Sequence, residues 1–252
     1  MNKTIHYCWF GDKLLPQNAK KCIASWKKIF PDYEIKLWNE DNYNVNINTF
    51  SAQAYKMKKY AFVSDVARFW ILYNYGGIYF DTDVEVIRDM RENIIVQGPF
   101  LASAKDISID IEKGVECEPG LGMFADKGME LFKEILDIYN SIRDFCTDAS
   151  FMQSVMIPNI MDRVLLPKGY DKKSLEIQKI AGFNIYPPEY FAPITFSSGR
   201  ESITLNTYSI HYYNKSWLSP KLRIIHFIKM NVVKMFGERF CFWLLHLVKD
   251  RK

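Results

Sequence analysis

The first forty residues combine two apolar runs with one helical repeat. Residues 4–10 form a short apolar and aromatic run that ends at a Gly-Asp pair, which predicts a strand and a turn. Within residues 17–29, apolar side chains recur three and four positions apart, which predicts an amphipathic helix. After a Pro-Asp break, residues 33–38 alternate like a second strand. A β-α-β order builds parallel sheets, so the pattern predicts an α/β fold.

The next stretch has the most regular pattern in the chain. Two helical segments occupy residues 52–75, and Gly76-Gly77 ends the second, because glycine tolerates the left-handed backbone at a helix end. Residues 78–80 then read as a short buried strand that continues into the acidic segment DTDVEV, residues 81–86. The predicted order is helix, Gly-Gly stop, buried strand and acidic strand end.

Beyond this stretch the pattern is less regular. Residues 97–125 predict two strands around an acidic, glycine-containing loop, and residues 128–146 predict an amphipathic helix. A weaker helical pattern covers 150–166, and 177–210 reads as strand and loop punctuated by prolines. With no repeat or linker, the sequence predicts one domain over 1–218 and a C-terminal extension over 219–252.

Composition narrows the class of protein. The 252 residues are 48% hydrophobic and 25% charged with a net charge of +4, as in a globular domain with a sizeable core. The absence of a run of basic residues or a nucleic-acid motif argues against nucleic acid as a partner. Five scattered cysteines without CxxC spacing argue against a zinc cluster and favour a reducing compartment. With neither a signal peptide nor a spanning apolar run, we expect a cytoplasmic protein.

Two carboxylates at the end of a buried strand are the first candidate for chemistry. Asp81 and Asp83 cannot both lie unpaired in the core, because buried charges are costly. At the strand exit they can converge on a hard cation such as Mn²⁺ or Mg²⁺, at the sheet edge where α/β folds bind ligands. The alternative is a solvated acidic turn. Glu85 reads as a solvated neighbour.

An acid and a base three residues apart on the preceding helix are the second candidate. Asp65 and Arg68 share a helix face and can pair. The pair is equally consistent with a surface salt bridge of little energetic consequence and with an arginine that faces a nucleotide while the aspartate orients it. Spacing alone leaves both alternatives open.

Four stretches of the chain resemble one known family. They are HYCWFG (6–11), KKYAFVSDVARFWILYNYGGIYFDTDVEV (58–86), YPPEYFAPI (186–194) and HYYNKSW (211–217). Together they resemble glycosyltransferase family 32, whose members carry a DXD sugar-binding region, and the likeness covers roughly residues 3–217. The resemblance implies the GT-A fold, a Rossmann-like α/β/α sandwich, here with a C-terminal helical extension.

The same resemblance implies roles for the donor-binding residues. Trp9 lies where the family stacks an aromatic ring near the donor base. Ser64 and Asp65 belong to the SD-x-x-R motif, in which the aspartate holds sugar hydroxyls and Arg68 orients the donor. Tyr79 matches a tyrosine beside the nucleotide.

The resemblance also implies a metal site and a diphosphate cap. Asp81 matches the carboxylate that contacts ribose and sugar, and Asp83 the direct ligand of Mn²⁺ or Mg²⁺. Trp217 resembles a tryptophan that caps the diphosphate. Candidates to complete the site in the C-terminal motif are Ser216, Asn214 and His211. Because family members differ in spacing there, His211 is as consistent with an ordinary strand histidine as with a ligand.

The implied reaction is retaining transfer of a sugar from a nucleotide sugar, with UDP-sugar as the expected donor. The implied acceptor is a glycan or lipid-linked glycan in bacterial surface polysaccharide synthesis. Two other classes stay open: a metal-dependent sugar-phosphate or nucleotidyl transferase, and a catalytically silent nucleotide-sugar-binding protein. The first usually needs a basic or glycine-rich phosphate cradle, which the sequence lacks.

The C-terminal extension concentrates positive charge. Residues 219–252 hold eight lysines and arginines against two acidic residues, interleaved with aromatic and aliphatic side chains. This pattern predicts one or two amphipathic helices in a membrane interface, which would place the protein peripherally on the inner face of the cytoplasmic membrane. The alternative is a helical hairpin packed on the domain.

Overall fold

The computed structural model describes residues 2–105, 114–195, 200–213 and 231. The strands within these ranges are β1 Thr4–Cys8, β2 Glu34–Trp38, β3 Gly77–Tyr79, β4 Val84–Val86, β5 Phe100–Lys105, β6 Val115–Cys117, β7 Met123–Ala125, β8 Gln178–Ile180, β9 Phe183–Tyr186 and β10 Ser209–His211. The α-helices are α1 Gln17–Ile29, α2 Thr49–Lys56, α3 Tyr60–Tyr75, α4 Glu130–Ser141, α5 Ala149–Ser154, α6 Ile157–Leu165 and α7 Pro188–Phe191.

One mixed sheet runs through the centre of the molecule. Its strand order is β2-β1-β3-β7-β5-β9-β8, and β6 pairs with β5. The strands β2, β1 and β3 are parallel, β7 is antiparallel to both of its neighbours, and β5 is parallel to β9. The predicted β-α-β opening is confirmed, because β1 and β2 pair in parallel across α1.

Both faces of this sheet are covered by helices. Along β7, Met123 and Ala125 enter one core and Phe124 enters the other, as the two-residue period of a strand requires. The first core includes buried residues of α2, α3, α4 and α6, and the second includes those of α1 and α7. The α/β/α sandwich expected of the GT-A fold is therefore confirmed.

Helix α1 shows how the apolar spacing sets the packing. Its buried residues are Ala19, Cys22, Ile23 and Trp26, the four positions whose spacing predicts the helix. The Trp26 indole N–H donates to the carbonyl of Val84 at 2.8 Å, so the helix is tied to β4 as well as packed on the sheet.

The junction between α3 and β3 is a tight turn built on two glycines. The Gly76 N–H donates to the Leu72 carbonyl at 2.8 Å and has φ of +65°, which ends the helix as predicted. Gly77 has φ of +102°, and a Cβ there would lie 2.7 Å from the Thr4 carbonyl oxygen. The chain therefore reverses direction at this turn, and β3 runs antiparallel to α3.

A buried histidine holds this turn. The Nε2 atom of His6 lies 3.0 Å from the Gly76 carbonyl, and the Trp38 indole N–H points at His6 Nδ1 from 3.0 Å. These partners require the neutral ring with its proton on Nε2, because Nδ1 must accept. Burial lowers the pKa of His6 to about 4.

The acidic segment differs from the prediction. Residues 81–86 are not one continuous strand: Asp81 to Asp83 form a turn, in which the Val84 N–H donates to the Asp81 carbonyl at 3.1 Å. Then β4 leaves the central sheet and pairs antiparallel with β10 in a separate two-stranded ribbon. The two aspartates thus lie between two sheets rather than along one strand.

Other predictions differ in number or in their ends: residues 97–125 hold three strands, β5, β6 and β7, where two are predicted, and the helical stretch 150–166 is divided into α5 and α6. The helix expected over 128–146 is α4, Glu130–Ser141, because Ile142 already has an extended backbone. The proposed extension 219–252 lies outside the described residues, apart from Asn231. Within the described ranges, no helix is both long enough and apolar enough to span a membrane.

Candidate active site

The reversal at Gly76-Gly77 brings the middle of α3 beside the end of β3. From Arg68 to Gly76 the helix rises about 12 Å, at roughly 1.5 Å per residue. From Gly77 to Asp81 the extended chain returns about 13 Å, at roughly 3.3 Å per residue. Because the two lengths match, Arg68 lies beside Asp81 at the end of the strand.

The result is a buried charge cluster. One nitrogen of Arg68 lies 3.0 Å from Asp65 Oδ1 and 3.1 Å from Asp81 Oδ1. The Tyr79 hydroxyl donates to Asp81 Oδ1 at 3.0 Å, and the guanidinium lies over the Tyr79 ring at 5.2 Å from its centroid. The Arg68 side chain is 7% exposed and that of Asp65 13% exposed. The predicted pairing of Asp65 with Arg68 is present, and it is not a surface salt bridge.

Burial dominates the electrostatics of this cluster. It raises the pKa of Asp65 to about 7, with Arg68 opposing the shift and Asp81 adding to it. Burial also raises the pKa of Asp81, against the stabilising effect of Arg68. A single guanidinium therefore does not fully compensate Asp65 and the partly buried Asp81, whose side chain is 28% exposed, and the site has capacity for further hydrogen-bond donors or positive charge.

A glycine that the sequence pattern does not single out completes the cluster. The Asp81 N–H donates to the Gly120 carbonyl at 2.9 Å. A Cβ on Gly120 would lie 2.2 Å from Asp81 Oδ2 and 2.7 Å from a nitrogen of Arg68. Only a residue without a side chain fits between them. Gly120 follows Pro119 in a single turn of 3₁₀ helix, Pro119–Leu121, and no local signal marks it as a site residue.

The second aspartate has a different environment. In the ribbon, His211 lies opposite Val84, and the Tyr212 N–H donates to the Asp83 carbonyl at 3.0 Å. This register places His211 Nε2 at 2.9 Å from Asp83 Oδ1. The other ring nitrogen, Nδ1, is buried and finds no hydrogen-bond partner in the described part of the chain. His211 is thus a strand residue that also touches the DXD motif.

The pKa of His211 reflects this contact. Burial by itself would lower it, but the charge and hydrogen bond of Asp83 outweigh burial, so the pKa of His211 lies above its usual value. Asp81 and Glu118 act in the same direction. Glu118 and Gly120 belong to one segment, which touches Asp81 through Gly120 and lies near His211 through Glu118.

The candidate ligand side chains are compatible with a divalent cation. Asp83 and His211 offer a carboxylate and an imidazole in contact, and Asp81 is near enough for Asp83 to raise its pKa. Oxygen and imidazole ligands suit Mn²⁺, and oxygen ligands suit Mg²⁺. The described residues contain no complete group of three or more His, Cys, Asp or Glu arranged for a metal. Asn214, another predicted ligand, lies outside them.

Two more of the residues predicted to bind the nucleotide-sugar donor lie in the described ranges. Trp9 comes directly after β1, which is parallel to β3, so it lies at the same sheet edge as Asp81, and its indole N–H donates to the Lys13 carbonyl. The Ser64 hydroxyl donates to the Tyr60 carbonyl at 3.2 Å, inside the helix. Ser216 and Trp217 lie outside the described residues.

Known proteins resemble part of this chain. Residues 16–101 match a family model described as a glycosyltransferase sugar-binding region containing a DXD motif. Inositol phosphoceramide mannosyltransferase 1 of Schizosaccharomyces pombe is 29% identical over 93 residues, which are 32% of this chain and 28% of that protein. Inositol phosphoceramide mannosyltransferase 3 of the same yeast is 32% identical over 90 residues, which are 32% of this chain and 24% of that protein. The chain spans about a quarter of the length of these curated relatives.

Solved structures give weaker likenesses. The PaToxG glycosyltransferase is 18% identical with a TM-score of 0.47, over 67% of this chain and 69% of that one. The galactosyltransferase LgtC, in complex with donor and acceptor sugar analogues, is 11% identical with a TM-score of 0.44, over 84% of this chain and 87% of that one.

Proposed function

We propose that this protein is a retaining hexosyltransferase that uses a nucleotide-sugar donor, because residues 16–101 match a family model for a glycosyltransferase sugar-binding region with a DXD motif. The observation that carries the proposal is the buried cluster of Asp65, Arg68 and Asp81 at the edge of the sheet. In an α/β fold that edge is the usual ligand site.

The charges of the site support a metal-dependent reaction. Asp65, Asp81 and Asp83 bring three carboxyls close to one guanidinium and one imidazole. A nucleoside diphosphate is itself anionic, so this surface would repel it without a cation. Mn²⁺ or Mg²⁺, held by Asp83 and His211 with Asp81 alongside, would supply the positive charge that stabilises the departing diphosphate.

The chain's own residues would position the donor. Arg68 and Tyr79 fix Asp81 Oδ1, so the orientation of this carboxylate is set before any ligand arrives. Asp65 and Asp81 would then accept hydrogen bonds from ribose and sugar hydroxyls. Holding donor and acceptor in line supplies further acceleration. With UDP-sugar as the donor, Trp9 would stack on the base at the same edge.

Retention of configuration is proposed through front-face attack. In this scheme the acceptor hydroxyl attacks the anomeric carbon on the face that the diphosphate leaves, and the departing phosphate oxygen takes the proton of that hydroxyl. The polar side chains around the anomeric carbon would then bind and orient, rather than form a covalent sugar intermediate.

For the acceptor we propose a glycan or lipid-linked glycan, in bacterial surface polysaccharide synthesis. The names of the yeast relatives specify a lipid acceptor, which supports the lipid-linked alternative, but these relatives are not bacterial. Peripheral membrane contact through 219–252, and with it a place on the inner face of the cytoplasmic membrane, remains a proposal from the sequence alone.

Donor turnover tests the proposal. Purified protein is incubated with a panel of UDP- and GDP-sugars, with Mn²⁺ or with a chelator, and the released products are identified. A transferase releases free sugar slowly without acceptor, and only with metal. Sugar phosphate as the product would indicate a phosphotransferase, and no product at all would indicate a binding protein.

Asp83→Ala and Asp81→Asn provide the residue-level test. We expect each to reduce turnover by at least about a hundredfold, as for loss of an electrostatic contact made in the transition state. Asp137→Asn, on the exposed face of α4, is the matched control and should retain activity. Wild-type turnover in a well-folded Asp83→Ala would show that this carboxylate holds no catalytic metal.

A further inference from the structure

A cavity lies at the opposite end of the β4–β10 ribbon from the aspartates. It has a volume of about 530 Å³ and is lined by residues that include Arg88, Tyr186, Tyr190, Tyr208, Asn93 and Gln97. This volume is within the usual range for small-molecule sites, roughly 300–1,000 Å³. Nothing in the proposed transfer reaction requires it.

The ribbon fixes the distance of this cavity from the donor site. Tyr208 precedes His211 by three residues, which is about 10 Å of strand at roughly 3.3 Å per residue. On the other strand, Arg88 comes five residues after Asp83. The N–H groups of Ile87 and Arg88 both donate to the Tyr208 carbonyl, at 2.9 and 3.2 Å. The cavity is therefore a separate site that is rigidly connected to the first.

Three tyrosines form one aromatic wall. The ring centroids of Tyr186 and Tyr190 are 5.0 Å apart, and Tyr190 lies parallel to Tyr208 at 6.3 Å with an interplanar angle of 11°. None of their hydroxyls donates or accepts a hydrogen bond within the described ranges, and none is a buried unsatisfied group there. The wall thus combines flat apolar faces with hydroxyls that remain available to a ligand.

The polar groups of the cavity are similarly available. Arg88 lies over the Tyr208 ring at 5.7 Å and makes no ion pair with any described residue, since the nearby Asp89 binds Arg91 instead. The amides of Asn93 and Gln97 make no side-chain hydrogen bond in the described part of the chain. The guanidinium of Arg88 is partly exposed and the amides of Asn93 and Gln97 are exposed, so a ligand on the aromatic faces can reach all three.

We propose that this cavity binds a saccharide that carries one acidic group. Sugar rings present C–H faces that pack on tyrosine and hydroxyls that match amides, while one carboxylate or phosphate would pair with Arg88. The site goes beyond the proposed transfer reaction, because its occupancy requires neither donor nor metal. It can therefore be tested even if the transfer proposal fails.

Binding is measured by NMR titration without nucleotide or metal. The probes are a disaccharide containing glucuronic acid, a disaccharide containing a hexose phosphate, and neutral maltose. We expect at least one acidic probe to bind more tightly than maltose, and the comparison between the two identifies which acidic group is preferred. If none of the three binds at millimolar concentration, the proposal is overturned.

Four variants locate the binding. Arg88→Gln should weaken the acidic probe about tenfold and maltose little, because a charge-assisted hydrogen bond is lost. Arg163→Gln removes an equally charged, exposed residue of α6 and should change nothing. Asn93→Ala should weaken both kinds of probe. Asp81→Asn should leave binding intact, and a loss there would show that the probe occupies the donor site instead.

Discussion

The two aspartates of the DXD motif are held in opposite ways. Asp81 belongs to a cluster assembled within twenty residues, where Arg68 and Tyr79 reach it across one turn. Asp83 contacts His211, which is 128 positions away in the sequence and arrives through a strand ladder. The difference indicates that the sugar-binding half is organised by local folding, whereas the metal half depends on the C-terminal strand being in place.

The largest expected effect is the loss of the arginine in the local cluster. Arg68→Met would leave Asp65 and Asp81 buried without their shared cation. We expect the free energy of unfolding to fall by about 3–5 kcal/mol, the usual cost of breaking a buried ion pair. Urea denaturation measures it, with Arg163→Met as an exposed control. A loss below about 1 kcal/mol would mean that the cluster is not organised by this arginine.

The next effect concerns the turn that aligns the cluster. Because the pKa of His6 is lowered to about 4, the unfolded state binds more protons between pH 6.5 and pH 4. Stability due to His6 is therefore complete above pH 6.5 and lost as the pH falls towards 4, by up to about 3 kcal/mol.

Comparison with His6→Gln isolates this contribution. The raised pKa of Asp65 acts in the opposite direction, because the folded state then binds the extra proton. The difference between wild type and His6→Gln, measured by denaturation from pH 7.5 to 4, removes that background. If the difference in the free energy of unfolding did not change with pH, the turn would not be held by a neutral His6 ring.

A smaller effect is expected at the glycine between the two charges. Gly120→Ala should cost about 1–3 kcal/mol through overpacking against Asp81 and Arg68. It should also weaken donor binding, because the carboxylate must move. Gly169→Ala is the comparison: its Cβ meets no atom within 4 Å, but its φ of +93° strains the backbone. Equal donor affinity in both variants would contradict the steric role of Gly120.

The smallest effect on stability is expected in the metal half. His211→Gln removes one contact of Asp83 and should cost about 1 kcal/mol, the usual value of a hydrogen bond. Activity should nevertheless require at least about tenfold more Mn²⁺, a loss of about 1.4 kcal/mol in binding. A titration of turnover against Mn²⁺ at constant pH makes the measurement. An unchanged metal requirement would leave His211 an ordinary strand residue.

The sequence predicts well the features that depend on neighbouring residues, and poorly those that depend on contacts between distant residues. The spacing of Ala19, Cys22, Ile23 and Trp26 sets a periodicity that the helix obeys, and Gly76 ends its helix where glycine is needed. These signals depend only on neighbours in the chain. The α/β class follows from the β-α-β order of these elements, whereas the sandwich is what the family resemblance implies.

The features that the sequence pattern could not predict depend on residues far apart in the chain. The segment 81–86 reads as one strand because its alternation is regular, and only pairing with β10 makes β4 a separate ribbon. Gly120 is required by side chains 39 and 52 positions earlier, so no window of local sequence can reveal it. For His211 the sequence leaves a strand position and a ligand as alternatives, and the contact with Asp83 depends on the register of the ribbon.

The matched lengths of α3 and β3 also limit how this part of the sequence can change during evolution. Each residue added to a helix rotates the part before the insertion by about 100° relative to the part after it. One insertion between Arg68 and Gly76 would turn the guanidinium away from Asp81. Tyr75 is the one exposed residue of α3, so the helix has little room for substitution, and an insertion or deletion there would abolish the site in a single step.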